Sequence, residues 1–310
     1  MSVIKIKKFL LLSILTFVLA FLISLSSRKG LGVLLAISSG LICLSLEHLL
    51  KSIQDFFDDT NWKTTQRKLQ RGGLLKGDTL VRISFAYLFR IKSGSEYLLV
   101  KNERGTGKYQ PVGGVYKMCT EEKIELKRLY HITDDDRIPI DESSRDDYRL
   151  MMQNKYLRGF VKRFDSKNAL RERVDNLSRE FKEELINKGV VNWTTIDYRY
   201  CGRYISNLKY SDHFKCYELL LADVVEVLLS DDQEQDLLAL RKNNSNYYKF
   251  VLPEEIKRLG VQPGTDYLVE SIADHTVKVL QETEDQLTLI PKKNIIISVT
   301  LADNESKLLI

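Results

Sequence analysis

Residues 168–188 read NALRERVDNLSREFKEELINK. Leu170, Val174, Leu177, Phe181, Leu185 and Ile186 recur at helical spacing, which predicts an amphipathic helix with one apolar stripe. Gly189 supplies a stop. Within the stretch lies Arg179-Glu180-Phe181-Lys182-Glu183-Glu184. On a helix Glu180 shares a face with Glu183 and Glu184, three and four positions on. Carboxylates crowded in this way repel one another. A divalent cation such as Mg²⁺, which takes oxygen ligands, relieves the repulsion and can neutralise phosphate charge or activate water. A charged helix whose glutamates only face solvent accounts for the hexamer equally well.

Upstream, Thr79–Ile91 alternates as a strand should. Val81, Ile83, Phe85, Tyr87, Phe89 and Ile91 fall on one face, and Arg82, Ser84, Ala86, Leu88 and Arg90 on the other. A turn at residues 92–95 and a strand at 96–100 complete a hairpin. The run Gly105-Thr106-Gly107-Lys108-Tyr109-Gln110-Pro111-Val112-Gly113-Gly114 permits close backbone approach to a ligand. Residues 119–165 are polar and patchy and read as an insertion of mixed local structure. Beyond Gly189, strands are expected from Thr194 to about Val227, a helix at 233–242, a strand at 247–252, a short helix opened by Pro253, a helix at 267–280 and a late strand at 295–301.

The N-terminus differs in kind. Phe9–Leu25 and Gly30–Leu46 carry no charge, and each reaches the length of about 17 residues that spans a bilayer core. Backbone in lipid must satisfy its own hydrogen bonds, so both runs should be helical. The four-residue link Ser26-Ser27-Arg28-Lys29 makes them an antiparallel hairpin. A signal peptide fits poorly, because the first run exceeds an h-region of about 7–15 residues and no A-x-A site follows. Lys5, Lys7 and Lys8 before the first run, and Lys51, Lys63, Arg67, Lys68 and Arg71 after the second, place both flanks in the cytoplasm. Leu49, Leu50, Ile53, Phe56 and Phe57 predict a juxtamembrane helix, and Gly72, Gly73 and Gly77 a flexible link.

Of 310 residues, 47 are Lys or Arg and 42 are Asp or Glu, interleaved along the chain. The net charge of +5 is too mild and too dispersed for a binder of nucleic-acid polymers. Cys43, Cys119, Cys201 and Cys216 form no C-x-x-C pair, and the four histidines are scattered, which argues against zinc and against a disulfide scaffold. Free thiols suit a reducing compartment.

Gly113-Gly114 on a strand followed by Arg179-Glu180-Phe181-Lys182-Glu183-Glu184 on a helix resembles the core of a Nudix box, G-x5-E-x7-R-E-U-x-E-E-x-G-U with U apolar. Counted back from Arg179, the family glutamate falls on Arg171 and its glycine on Asp165, while Glu172 stands one residue out of register. After Glu184 the family glycine falls on Ile186. The resemblance implies a mixed α/β (α+β) sheet between helices and favours nucleotide binding over hydrolysis. With the hairpin at 1–50, a juxtamembrane helix and linker at 51–77, a divergent domain at 78–290 and a tail at 291–310, the architecture resembles the membrane effectors of bacterial CBASS antiphage systems that carry a SMODS-associated Nudix domain. That resemblance implies an inner-membrane protein with a cytoplasmic domain. The domain would bind a cyclic nucleotide made by a CD-NTase, and the hairpins would assemble as a homo-oligomer and disrupt membrane lipid. No cofactor is required on this reading. Mg²⁺ on Glu180, Glu183 and Glu184 belongs to the rival one, a tethered Nudix hydrolase. Arg82, Arg90, Arg104 and Lys108 are the candidate phosphate donors, and Tyr109 the candidate stacking surface for a base.

Overall fold

The computed structural model describes residues 3–30, 32–57, 62–103, 105–142, 144–243, 245–261, 264, 268, 271–280 and 295–301. The chain divides into two compact units, Met1–Leu74 and Leu75–Ile310. The first holds helices α1 (Val3–Arg28), α2 (Gly32–Phe57) and α3 (Trp62–Arg71). Helices α1 and α2 pack side by side, and Thr16 Oγ1 lies 2.6 Å from Ser45 Oγ across the pair. Phe9–Arg28 is long and apolar enough to cross a membrane, whereas the apolar part of α2, Ala36–Leu50, is shorter. The expected juxtamembrane helix is not separate, because α2 runs unbroken to Phe57. The expected link at 26–29 is also shorter than read, since α1 continues to Arg28 and Gly30 turns the chain with φ +65°.

In the second unit, β1 (Leu80–Arg90), β2 (Lys92–Ser93), β3 (Glu96–Lys101), β4 (Tyr109–Gln110) and β5 (Gly113–Val115) precede α4 (Thr120–Tyr130). Next come β6 (Thr133–Asp134), β7 (Arg149–Gln153), α5 (Leu157–Phe164) and α6 (Arg179–Phe181), which continues as a π-helical turn over Lys182–Ile186. The rest is β8 (Thr195–Ile205), β9 (Lys209–Ser211), β10 (Cys216–Leu228), α7 (Asp231–Arg241), β11 (Tyr248–Val251), α8 (Pro253–Lys257), a 3₁₀ turn at Asp274–Leu280 and β12 (Ile296–Thr300). The larger sheet runs β12-β8-β10-β1-β7-β6, with β5 added on β1 and β9 on β10. The smaller runs β11-β3-β2, with β4 on β3.

Strand β1 is the spine. One edge pairs in parallel with β10 from Val81↔Tyr217 to Arg90↔Glu226. The other edge is shared, with β7 on Leu80–Ser84 and β5 on Ala86–Leu88. The face predicted to be apolar is buried against aromatic rings. Phe85 meets Phe164 at 4.8 Å, Tyr87 meets Tyr116 at 5.0 Å, and Phe89 meets Phe181 at 5.4 Å, in tilted or edge-on geometries that favour ring pairs. The opposite face carries Arg82 and Arg90, named above as candidate phosphate donors, a role that would need it open. It is covered instead: Leu88 packs with Tyr97, Leu99, Val251 and Ile256 from the smaller sheet and α8. Burial on both faces is what a strand in a parallel pair ordinarily shows.

Two further expectations change. The segment read as an insertion packs into the core, since β7 pairs with β1 and α5 supplies Phe160 and Phe164. The helix expected over 168–188 begins only at Arg179. Residues 170–172 lie extended beside residues 117–119, where Cys119 donates to the Leu170 carbonyl and Glu172 donates to that of Lys117. Backbone groups committed to those bonds cannot close helical turns. The stop at Gly189 holds, with φ +65° and Val190 donating back to Leu185. The late strand is β12, paired with β8. The helix expected over 267–280 is described at 271–280, where its regular part is the 3₁₀ turn.

On that turn His275 is drawn down to about 4, by burial first and then by Lys278. The folded state therefore keeps it neutral while the unfolded chain protonates it near 6.5. Its contribution to stability is complete above that value and is lost as pH falls from 6.5 towards about 4. Urea melts of wild type and His275→Gln across this window should show a shallower pH slope in the variant.

Candidate functional site

The site is built where β5 passes under α6. Gly113 has φ +149°, and a Cβ there would lie 2.3 Å from the Tyr87 carbonyl oxygen. A Cβ on Gly114 would meet Glu180 Oε1 at 1.9 Å. Both glycines are therefore dictated by close approach, the first to strand β1 and the second to a carboxylate. Gly113 N–H donates to Glu184 Oε2 at 2.9 Å, tying the strand to the π-helical turn. The Tyr247 hydroxyl donates to the Glu184 carbonyl at 2.9 Å and holds that turn from the other side.

Arg179 occupies the centre. Its Nε donates to Glu172 Oε1 at 2.8 Å and its Nη2 to Glu172 Oε2 at 3.2 Å, a two-pronged pair. Nη2 also donates to the Val115 carbonyl at 2.9 Å, and Nη1 donates to Glu180 at 2.5 Å and faces Glu183 at 3.6 Å. Burial alone would lower the guanidinium's pKa, but Tyr87, Glu172 and Glu180 outweigh it and hold it well above its usual value. Burial raises the Glu180 carboxyl despite the arginine beside it. Tyr87, fully buried beneath, is raised by desolvation and by Glu172 and keeps its phenolic proton.

Glu172 is the residue that the register count displaced. Because residues 170–172 run extended beside Lys117–Cys119, Glu172 reaches both Arg179 and the Lys117 N–H, the latter at 2.8 Å. Its position one residue out of register was the only available signal of that role.

The resemblance places a divalent cation on Glu180, Glu183 and Glu184, which requires several oxygen ligands to converge. They do not converge here. Glu180 is engaged by Arg179, Glu184 accepts the Gly113 N–H, and the wider π-helical turn alters the three-and-four spacing. Among the described residues no three Asp, Glu, His or Cys side chains form a metal-binding group. The positive charge at the centre of the site is the arginine's, and the side chains as placed do not fit the ion.

The other candidates are dispersed. Arg82 is buried between Asp135 at 2.6 Å and Glu218 at 3.5 Å and stacks on Phe214. Arg90 is buried and donates to the Val279 carbonyl at 2.6 Å. Both arginines fasten elements of the second unit and are closed off from a phosphate. Tyr109 turns its ring into the core beneath β3 and donates to the Asn246 carbonyl at 2.9 Å, so it offers no open stacking face. Lys108 stands at the surface, 3.8 Å from Asp274. Arg104 lies outside the described residues.

Two substitutions test the wiring. Gly114→Ala should destabilise by about 1–3 kcal/mol through overpacking against Glu180, read as a lower denaturation midpoint. Arg179→Met should cost about 3 kcal/mol by stranding buried carboxylates. Much of that loss should return in Arg179→Met/Glu172→Gln, the coupling being read from the double-mutant cycle.

Comparison with known proteins identifies the domain that holds this site. A family model described as the SMODS-associated NUDIX domain matches residues 80–280. No curated protein and no solved structure matches the chain. The matched stretch runs from the first residue of β1 to the end of the 3₁₀ turn and takes in the glycine pair, Glu172 and the Arg179 helix. It covers well over half of the sequence, and the chain belongs to the family that carries the SMODS-associated NUDIX domain.

Proposed function

We propose that this chain is a membrane effector of a bacterial CBASS antiphage system. On this reading the Nudix-like domain lies in the cytoplasm and senses a cyclic nucleotide made by a CD-NTase. The two apolar helices then assemble with those of other copies and disrupt the inner membrane, so that infection aborts. The observation that carries the reading is the union, in one chain, of the family domain at 80–280 with a helix, Phe9–Arg28, apolar enough to cross a membrane. The second span would be α2, whose Val33, Ile37, Leu41 and Leu44 point outward. A box tied around Arg179 supports recognition rather than turnover, and the reading needs no cofactor. Lys108 and, next to the glycine-rich run in sequence, Arg104 are the proposed phosphate contacts.

The rival reading, a tethered Mg²⁺-dependent hydrolase of a nucleoside diphosphate derivative, rests on the presence of Glu180, Glu183 and Glu184 in the box and would need them to leave the partners they hold here. One experiment separates the two. The full chain in detergent is melted with a panel of cyclic di- and trinucleotides, with and without Mg²⁺. One member should raise the melting temperature and be recovered intact, with stabilisation of about 2.7 kcal/mol at a hundredfold excess over Kd. Consumption of a panel member only when Mg²⁺ is present would establish the hydrolase. No shift with any member would sink the receptor.

A further inference from the structure

The hairpin of α1 and α2 is apolar outside and hydroxylated inside. Phe17, Phe21, Leu41 and Leu44 face outward. Among the described residues of the two helices, the four most buried side chains are Leu19, Ser26, Ser38 and Ser45. Thr16 joins this seam through its 2.6 Å contact with Ser45, while also donating to the Leu12 carbonyl at 2.8 Å. Ser26 is 1% exposed, and its hydroxyl has no hydrogen-bond partner among the described residues. A buried hydroxyl without a partner is unfavourable, and lipid offers it none. The seam is therefore suited to a polar occupant that the closed pair excludes.

We propose that the seam of Thr16, Ser26, Ser38 and Ser45 becomes the water-facing wall of a solute path when several hairpins assemble. The inference rests on the membrane-effector reading and specifies its output. The outward faces stay in lipid in both states. Opening exchanges the Thr16–Ser45 contact for contacts with water and gives Ser26 the partner it lacks. Hydroxyls without charge suit ions and small polar solutes of either sign.

The test uses the full chain with Cys43, Cys119, Cys201 and Cys216 replaced by serine. Single cysteines are placed on the seam (Thr16→Cys, Ser26→Cys, Ser38→Cys, Ser45→Cys) or outside it (Phe17→Cys, Ile37→Cys, Leu41→Cys, Leu44→Cys). Each variant is reconstituted in phosphatidylethanolamine–phosphatidylglycerol vesicles holding a fluorescent dye. The vesicles receive cyclic di-AMP, cyclic di-GMP or cyclic GMP–AMP, then a membrane-impermeant cationic thiosulfonate. Seam cysteines should react about tenfold faster than outward ones, because the thiolate is the reactive form and needs water. Their modification should also alter dye release, whereas outward modification should not. Because Ser→Cys exchanges a single atom, the three serine variants of the seam keep their packing, and dye release by the cysteine-free chain serves as a check on assembly. Dye release with seam cysteines no more reactive than outward ones would overturn the seam and leave the effector reading standing. No release with any probe, together with equal protection on both faces, would overturn both.

Discussion

Strand β1 is used on both faces and along both edges, and the second unit is arranged to meet that demand. Its backbone pairs with β10 on one side and with β7 and β5 in succession on the other. Its odd-numbered residues anchor the aromatic layer, and on its other face Leu88 enters a second core. A strand enclosed in this way leaves its charged residues no route to solvent, so each must find a partner in the protein. Arg82 finds Asp135 and Glu218, and Arg90 finds the Val279 carbonyl.

The same rule operates throughout the unit. Asp223, buried in β10, accepts from both nitrogens of the Arg203 fork and from the hydroxyls of Tyr116 and Tyr200. Burial would raise its carboxyl, but Arg203 and these donors hold it below the ordinary value. Arg179 does for the Nudix box what Arg203 does for the sheet, gathering carboxylates around one guanidinium. That one side chain joins Glu172, Glu180 and the Val115 carbonyl, while Glu184 fastens Gly113 to the π-helical turn.

Much of this was legible in the sequence. Period-two alternation located β1, β3 and the β8–β10 group, because side chains on a strand must alternate whatever lies beyond them. Gly189, Pro253 and the apolar run from Phe9 act locally, and their roles followed from chemistry alone. What covers the second face of β1 was not legible, since it arrives from residues far along the chain. Arg82, Arg90 and Tyr109 therefore looked like surface groups available to a ligand. The late start of the helix at Arg179 was hidden for the same reason. Leu170 opens the apolar period, but residues 170 and 172 hydrogen-bond to residues 119 and 117. Glu172, a single step out of a linear pattern, reaches its place only because that extended stretch turns it there.

The parallel pairing of β1 with β10 also bears on the order in which the protein is made. Val81 has to find Tyr217, so the spine of the sheet cannot close until most of the chain has been synthesised. Pairings between residues so far apart form slowly and leave strand edges open in the meantime. The apolar helix at Phe9–Arg28 emerges from the ribosome well before then. A nascent chain held at a membrane by that helix would complete its sheet while tethered, where a neighbouring chain's open edge competes with its own β10.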